Sequence, residues 1–349
     1  MSLLKSHTTP PTSWTLDGGE EVPEQFSDST EEVEQLNNRV ALMDFSHRGV
    51  VEISGPQRSD FLQGLTTNQI KDITDNRSVY SAILSPQGRF LWDFTVCQSQ
   101  ERFFLEVEPQ QEKKLVDALS FYLMRTKATI TDVSSQYGVV AIAGPKATEA
   151  VSQLFPDLPI GEADLGATFM VYETAQLWRD PRHGDFGWRL RVPKDDFLEI
   201  WDRVAKNIPP AGQVAWESYR INRGLPRGGA EFIPDKSIPL ESGLLEMNGV
   251  SFQKGCFVGQ ETTARTHHRG TLKKRLFQVI LEGNGLVPVE TPILTPSEKE
   301  AGVLTSVTCQ NGQCQGLALL RTSDVVDDKQ LTILGRKLTA QKPTWASWD

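Results

Sequence analysis

Apolar residues first fall into helical register at Val33, Leu36 and Val40, behind Ser29 and Glu32, whose spacing predicts a capping box. Residues 1–28 ahead of them are polar, interrupted by Pro10, Pro11, Gly18 and Gly19, and read as a mobile tail. Further on, the pattern repeats. Val50-Val51-Glu52-Ile53-Ser54-Gly55-Pro56 returns as Val139-Val140-Ala141-Ile142-Ala143-Gly144-Pro145, and Leu65 has its counterpart in Leu154. Each copy predicts a strand, a Gly-Pro turn and a helix, because an N–H in the first helical turn has no intrahelical acceptor and proline lacks one anyway. The stretches Phe103 to Leu119 and Trp188 to Val204 match in the same way, each a strand, a proline and an amphipathic helix. Tyr80 to Ser85 and Arg89 to Gln98 flank Pro86-Gln87-Gly88 as a hairpin. Together these periods predict an α+β fold of two related antiparallel-sheet-plus-helix units. After Gly270 the runs Leu276 to Leu281, Gly302 to Thr308, Gln315 to Leu320 and Gln330 to Leu334 predict a small C-terminal β-barrel. The predicted division is a tail (1–28), a first α+β unit (29–135), a second (136–250), a cysteine-bearing segment (251–271) and the barrel (272–349).

Charge sharpens this layout. The chain carries 36 Lys and Arg against 45 Asp and Glu, a net charge of −9. Asp17, Glu20, Glu21, Glu24, Asp28, Glu31, Glu32 and Glu34 fall where no cation intervenes, while Arg265 to Arg275 (RTHHRGTLKKR) carries cations and no acid. An acidic chain excludes a broad nucleic-acid surface, yet this basic run predicts a local contact with RNA or another anion. No apolar stretch is long enough to span a membrane and the start lacks a signal or transit pattern, so a cytoplasmic protein without a membrane partner is expected. Four cysteines make neither a disulfide framework nor a paired metal site, and no metal is expected. Cys309 and Cys314 straddle an Asn311-Gly312 turn, face each other across two strands, and are expected to stay reduced.

The segment Lys254-Gly255-Cys256-Phe257-Val258-Gly259-Gln260-Glu261 places one thiol between glycines, beside Lys254 and ahead of Arg265. Nearby cations favour the thiolate, and glycines let another molecule approach the backbone. A lone cysteine is otherwise a small core residue. With Arg220-Ile221-Asn222-Arg223-Gly224-Leu225-Pro226 and Gly229-Ala230-Glu231-Phe232, this segment resembles the signature of the YgfZ family of folate-binding proteins, within the GcvT-like superfamily named for the aminomethyltransferase (T-protein) of glycine cleavage. The resemblance implies a ring-like domain arrangement and an accessory factor that binds tetrahydrofolate or a one-carbon derivative. It also implies iron–sulfur clients or assembly proteins as partners, including enzymes that modify tRNA.

Compared with T-proteins, Gly88-Arg89-Phe90-Leu91-Trp92-Asp93 keeps one acid of an acid pair and replaces the other by Trp92, and Gly184-Asp185-Phe186-Gly187 resembles a stretch that carries a glutamate. Asp93 is thereby a candidate general base or electrostatic stabiliser beside the folate nitrogens, and Asp185 a candidate acceptor for the pterin N–H groups. Arg220 and Arg223, with Glu231 nearby, are candidate folate contacts, while Trp188, Trp201 and Trp216 read as core. Cys256 stands where T-proteins carry an acid, with Lys254, Gly255, Gly259, Gln260, Glu261 and Arg265 as its motif. The broken acid pair and inserted thiol favour an accessory protein over the alternative, a folate-dependent aminomethyl transferase. A cysteine hydrolase using His267 or His268 lacks an oxyanion-hole signature.

Overall fold

In the computed structural model, residues 2–268, 272–310, 312–326 and 330–348 are described. The N-terminal segment is folded, where a mobile tail was expected. Strands β1 (Ser13–Asp17) and β2 (Glu20–Gln25) pair antiparallel, and Leu4 is fully buried with Leu3 and Trp14 packed beside the same core. A hairpin needs only one apolar stripe, so a mostly polar stretch suffices. Helix α1 (Ser29–Asn38) is capped one residue earlier than predicted, by Asp28, whose Oδ1 accepts from Thr30 N at 2.9 Å. Glu32 is turned the other way and accepts from the backbone of Phe26, Ser27 and Gly212.

The two repeats form as predicted. The first half runs β3 (Ala41–Asp44), β4 (Gly49–Ser54), α2 (Arg58–Leu65), β5 (Val79–Leu84), β6 (Phe90–Ser99), β7 (Arg102–Val107), α3 (Glu112–Leu123) and β8 (Thr129–Asp132). The second runs β9 (Tyr137–Ala143), α4 (Ala147–Leu154), β10 (Thr168–Val171), β11 (Ala175–Arg179), β12 (Trp188–Pro193) and α5 (Phe197–Ala205). Their antiparallel sheets have the orders β5-β6-β7-β4-β8 and β10-β11-β12-β9-β3. The strand ahead of each repeat therefore pairs with the other repeat's strand, since β3, which precedes β4, joins β9, and β8, which precedes β9, joins β4. The repeat glycines make the exchange sterically feasible: a Cβ on Gly55 would meet Lys127 O at 2.6 Å, and one on Gly144 would meet Arg39 O at 2.5 Å. Those carbonyls lie just ahead of β8 and β3, and positive φ values of 100° and 113° suit glycine alone.

Strand alternation then sorts the second sheet into two faces. Val140, Ile142, Leu190 and Val192 meet Val151 of α4 and Phe197, Trp201 and Val204 of α5 in an apolar core. The alternate positions, Arg189 and Arg191, face Phe45 and Phe104 instead, so a buried polar layer runs between the sheets.

Helix α6 (Gln213–Asn222) and helix α7 (Gln260–His268) precede the predicted barrel. It closes as β13 (Lys274–Leu281), β14 (Pro292–Leu294), β15 (Glu300–Gln310), β16 (Gln313–Arg321), β17 (Leu331–Ile333) and β18 (Arg336–Gln341), with the short α8 (Thr322–Val326) after β16. Cys309 pairs with Cys314 across β15 and β16 as the register predicts, but the two form a disulfide rather than remaining free thiols. Their Cα atoms lie 4.0 Å apart, so cross-strand pairing alone presents the sulfurs to each other. Asn311 of the predicted turn lies outside the described residues. The chain clusters into two compact units that interleave in sequence. Unit 1 comprises Met1–Ile83, Trp92–Trp216 and Asn248–Phe257, and unit 2 comprises Leu84–Leu91, Glu217–Met247 and Val258–Asp349. Among the described residues no helix is long and apolar enough to cross a membrane.

Candidate functional site

The polar layer of unit 1 holds Asp93. Its Oδ2 accepts from the Tyr80 hydroxyl at 2.8 Å, and it is almost fully buried. Burial, reinforced by nearby Glu108, raises the Asp93 carboxyl to about 6, although Arg182, the Tyr80 hydrogen bond and Arg48 pull it back. Asp180 and Arg182 form a bidentate pair at 2.9 and 2.7 Å, and the Arg182 guanidinium lies 3.6 Å from the centre of the Phe186 ring. Burial opposes ionisation of Asp180, yet Arg182 and Arg189 hold its carboxyl below the ordinary range. Arg48 lies between Glu106 (2.6 Å, without hydrogen-bond geometry) and Glu108 (2.9 Å).

Arg189 is the least satisfied member of this layer. It stacks over Phe45 at 4.7 Å and Trp216 at 5.5 Å, and reaches Asp180 only at 3.6 Å. Its Nε and Nη1 have no hydrogen-bond partner among the described residues, and burial lowers its guanidinium to about 10. His47 donates or accepts through Nε2 at 3.0 Å from Asp17, and its buried Nδ1 has no partner among the described residues. A buried donor left unmatched costs roughly 1–3 kcal/mol, so the layer holds unused hydrogen-bonding capacity beside aromatic side chains. Asp185 sits apart on the turn Gly184–Phe186, half-buried, with its Oδ2 3.6 Å from His183 Nδ1.

The cysteine motif alternates between inside and outside. Lys254 and Phe257 are buried, whereas Gly255 and Cys256 are exposed, and Cys256 is a free thiol. Lys254 Nζ donates to the carbonyls of Gln63 (2.7 Å), Asn68 (2.9 Å) and Thr66, and burial lowers its ammonium to about 8. Lys254 was expected to promote the thiolate. It instead anchors the loop from beneath, because an ammonium taken out of water must collect acceptors. Gly255 is open, since an added Cβ would meet nothing within 4 Å. Gly259 belongs to unit 2, and its expected role in admitting a partner is corrected: a Cβ there would meet Ser85 O at 2.5 Å, so it lets the start of α7 close onto the Ser85 to Gly88 turn. Gln260, Glu261 and Arg265 lie on α7, with Glu261 and Arg265 exposed.

Arg220 and Glu231, read as folate contacts, are built into unit 2. Arg220 donates to Glu217 (2.8 and 2.6 Å), Glu231 (3.0 Å), Leu225 O (3.2 Å) and Ser306 (2.8 Å), which occupies all five N–H groups. Glu231 accepts in addition from Arg227 N, Thr305 and Ser306, so neither side chain has a bond left for a ligand. Arg223 is half-buried and stacks over Tyr219 at 5.2 Å. Trp188, Trp201 and Trp216 are buried, as read. In the basic run, Arg269 lies outside the described residues, and Arg275 is half-buried, 3.6 Å from Glu246. Sequence reasoning missed Tyr80, Asp180, Arg182 and Arg189. The signal for one of them was the strand Trp188-Arg189-Leu190-Arg191-Val192, whose cations share a face.

The family model for the GCVT N-terminal domain matches residues 5–251, and the model for the CAF17 C-terminal β-barrel domain matches residues 273–348. A Mus musculus protein named iron-sulfur cluster assembly factor IBA57, mitochondrial, is 33% identical over 324 residues, covering 85% of this chain and 83% of that protein. The Homo sapiens protein of that name is 32% identical over 280 residues, covering 73% and 71%. Both are named as mitochondrial, in contrast to the cytoplasmic placement expected from the sequence. The solved glycine cleavage system aminomethyltransferase T from Bartonella henselae superposes with a TM-score of 0.82 over 96% of this chain and 94% of that one, at 16% identity, which establishes a shared fold. The chain belongs to the GCVT family, in the branch that carries a CAF17-type C-terminal β-barrel.

Proposed function

We propose that this chain is a YgfZ-like factor that binds a reduced folate and assists iron–sulfur cluster assembly or repair, including that of tRNA-modifying iron–sulfur enzymes. The observation that carries the folate reading is the incompletely bonded charged layer of unit 1. Ionised Asp93 accepts the paired N–H groups of the pterin, the unmatched Arg189 donors meet its carbonyl, and Phe45 and Trp216, whose rings stand edge to face, supply the aromatic wall. Asp185 is the second carboxylate proposed. The reading as an assembly factor rests on the IBA57 relatives and on Cys256, an exposed thiol on a loop that Lys254 pins in place. There a thiolate can ligate iron of a cluster held by a client or assembly protein, which is cargo rather than a resident group. The exposed cations of the 265–275 run are proposed to meet an anionic partner, RNA or the glutamyl tail.

Complementation of a deletion strain tests the thiol: Cys256→Ser is expected to lose iron–sulfur enzyme activity while keeping wild-type folate affinity. Full rescue by that variant reduces Cys256 to a surface residue. Aminomethyl transfer in a reconstituted glycine-cleavage assay would replace the accessory reading by the transferase one.

A further inference from the structure

Helix α3 turns one apolar stripe inward and leaves a second group of apolar residues outside. Leu115 and Leu119 are buried and Leu123 is half-buried, at the four-residue spacing of a packed helix face. Beside that stripe, at the end of the helix, Phe121 is 81% exposed and Met124 is 91% exposed, and Tyr122 stands edge to face with Phe121 at 5.5 Å. Exposure that high leaves almost no side of either residue covered, so they form a protruding tip rather than the wall of a groove. The backbone holds this tip out. Met124 ends the helix at φ 40° and ψ −106°, on the positive-φ side where a helix usually places glycine. A long apolar side chain is thus kept where the backbone favours none, and local conflict of that kind gathers at functional surfaces. Beyond it the chain is pinned, since Thr126 N donates to Leu123 O at 2.7 Å and Lys127 N to Gln57 Oε1 at 2.6 Å.

Four cations belong to the same element, Lys113 and Lys114 on the helix and Arg125 and Lys127 just after it, all exposed and without an ion-pair partner among the described residues. Of the two acids on α3, Glu112 is half-buried and only Asp117 is exposed. The whole chain carries −9, but at physiological salt charges are screened beyond about 8 Å, so what approaches the tip meets the local cations. Those cations select an anionic surface. The tip presents on the order of 400 Å² of apolar area, about half of what each side of a stable protein interface buries. Tip-to-tip contact with a second copy would set like charges against each other. A bilayer needs no matching pocket: it admits Phe and Met side chains at the acyl boundary, takes Tyr at headgroup level and offers anionic headgroups to the cations. We propose that the end of α3 is a peripheral docking site for an anionic lipid membrane, with Phe121 and Met124 inserted and Arg125 and Lys127 on the headgroups. Such a contact needs no membrane-spanning helix, and it departs from the sequence expectation of no membrane partner. The site is independent of Cys256 and of the folate reading.

Flotation of the full chain with vesicles tests it. The chain is expected to float with equimolar phosphatidylcholine and phosphatidylserine, and much less with phosphatidylcholine alone. Phe121→Ser and Met124→Gly are each expected to weaken partition about tenfold, the loss of one inserted apolar side chain. Because both positions are exposed and Met124 sits where glycine fits, each variant is expected to unfold at the native urea concentration, which separates lost binding from lost structure. Arg125→Gln combined with Lys127→Gln is expected to weaken partition about thirtyfold at physiological salt, and that difference should shrink as salt rises. Equal flotation of the native chain with both vesicle types, or native partition in the Phe121 and Met124 variants, overturns the proposal. Absence of flotation with anionic vesicles also overturns it and leaves the tip to a protein partner.

Discussion

Unit 1 and unit 2 each bury a cluster of charged side chains, and the two differ in how completely they are hydrogen-bonded. Around Arg220, every guanidinium N–H and both Glu231 oxygens have partners, and the network ties α6 to β15 of the barrel. Around Asp93 and Arg189, ionisable groups are equally buried, but two Arg189 nitrogens and His47 Nδ1 have none among the described residues. A completed network holds a fold together, whereas an incomplete one lowers stability unless something else supplies the missing bonds. Sequence spacing pointed to Arg220 as a ligand contact and passed over Arg189. Bonding tells them apart, assigning Arg220 to architecture and Arg189 to the open layer.

The largest expected effect tests the closed cluster. Arg220→Ala leaves Glu231 buried without its cation and is expected to lower the denaturation free energy by about 3–5 kcal/mol. Arg189→Met removes a poorly bonded cation and should cost less than about 1 kcal/mol; equal losses in urea titrations would erase the distinction. Asp93→Asn is expected to stabilise the protein at pH 7 by on the order of 2 kcal/mol, since burial raises the carboxyl from 3.8 to about 6. The native state then holds the proton more tightly than the unfolded one. The Asp93 contribution to stability is therefore fullest below about pH 4, declines as the pH rises to about 6 and levels off. A stability curve of Asp93→Asn that keeps this slope would assign it to another group. Lys254→Met strips three carbonyls of their donor and should cost about 1–2 kcal/mol, with faster proteolysis near Cys256. The smallest effect is expected at half-buried Asp185, where Asp185→Asn should alter stability by less than about 0.5 kcal/mol.

Much of this architecture is legible along the chain, because a repeated strand, Gly-Pro turn and helix is a local pattern. The edge exchange is not. Its strands, Ala41–Asp44 and Thr129–Asp132, are four residues each, too short to show a period, and their partners lie far away in sequence. The barrel was readable from its long strands, whereas Pro292–Leu294 is too brief to register. The thiol was visible from its glycines, but not the inward turn of Lys254, which depends on carbonyls almost two hundred residues earlier. Arg189 escaped notice because an alternating cation on a strand is ordinarily solvated, whereas here it is buried with Phe45 and Trp216 packed against it.

Calorimetric titration of tetrahydrofolate into the folded chain tests the central claim, that the open layer of unit 1 is the folate site. Saturable binding at pH 7.5 is expected, weakening as Asp93 takes up a proton near pH 6. Asp93→Asn should reduce affinity by about tenfold and remove that pH dependence, the loss of one charge-assisted hydrogen bond. Unchanged affinity and pH profile in both Asp93→Asn and Asp185→Asn would contradict the placement.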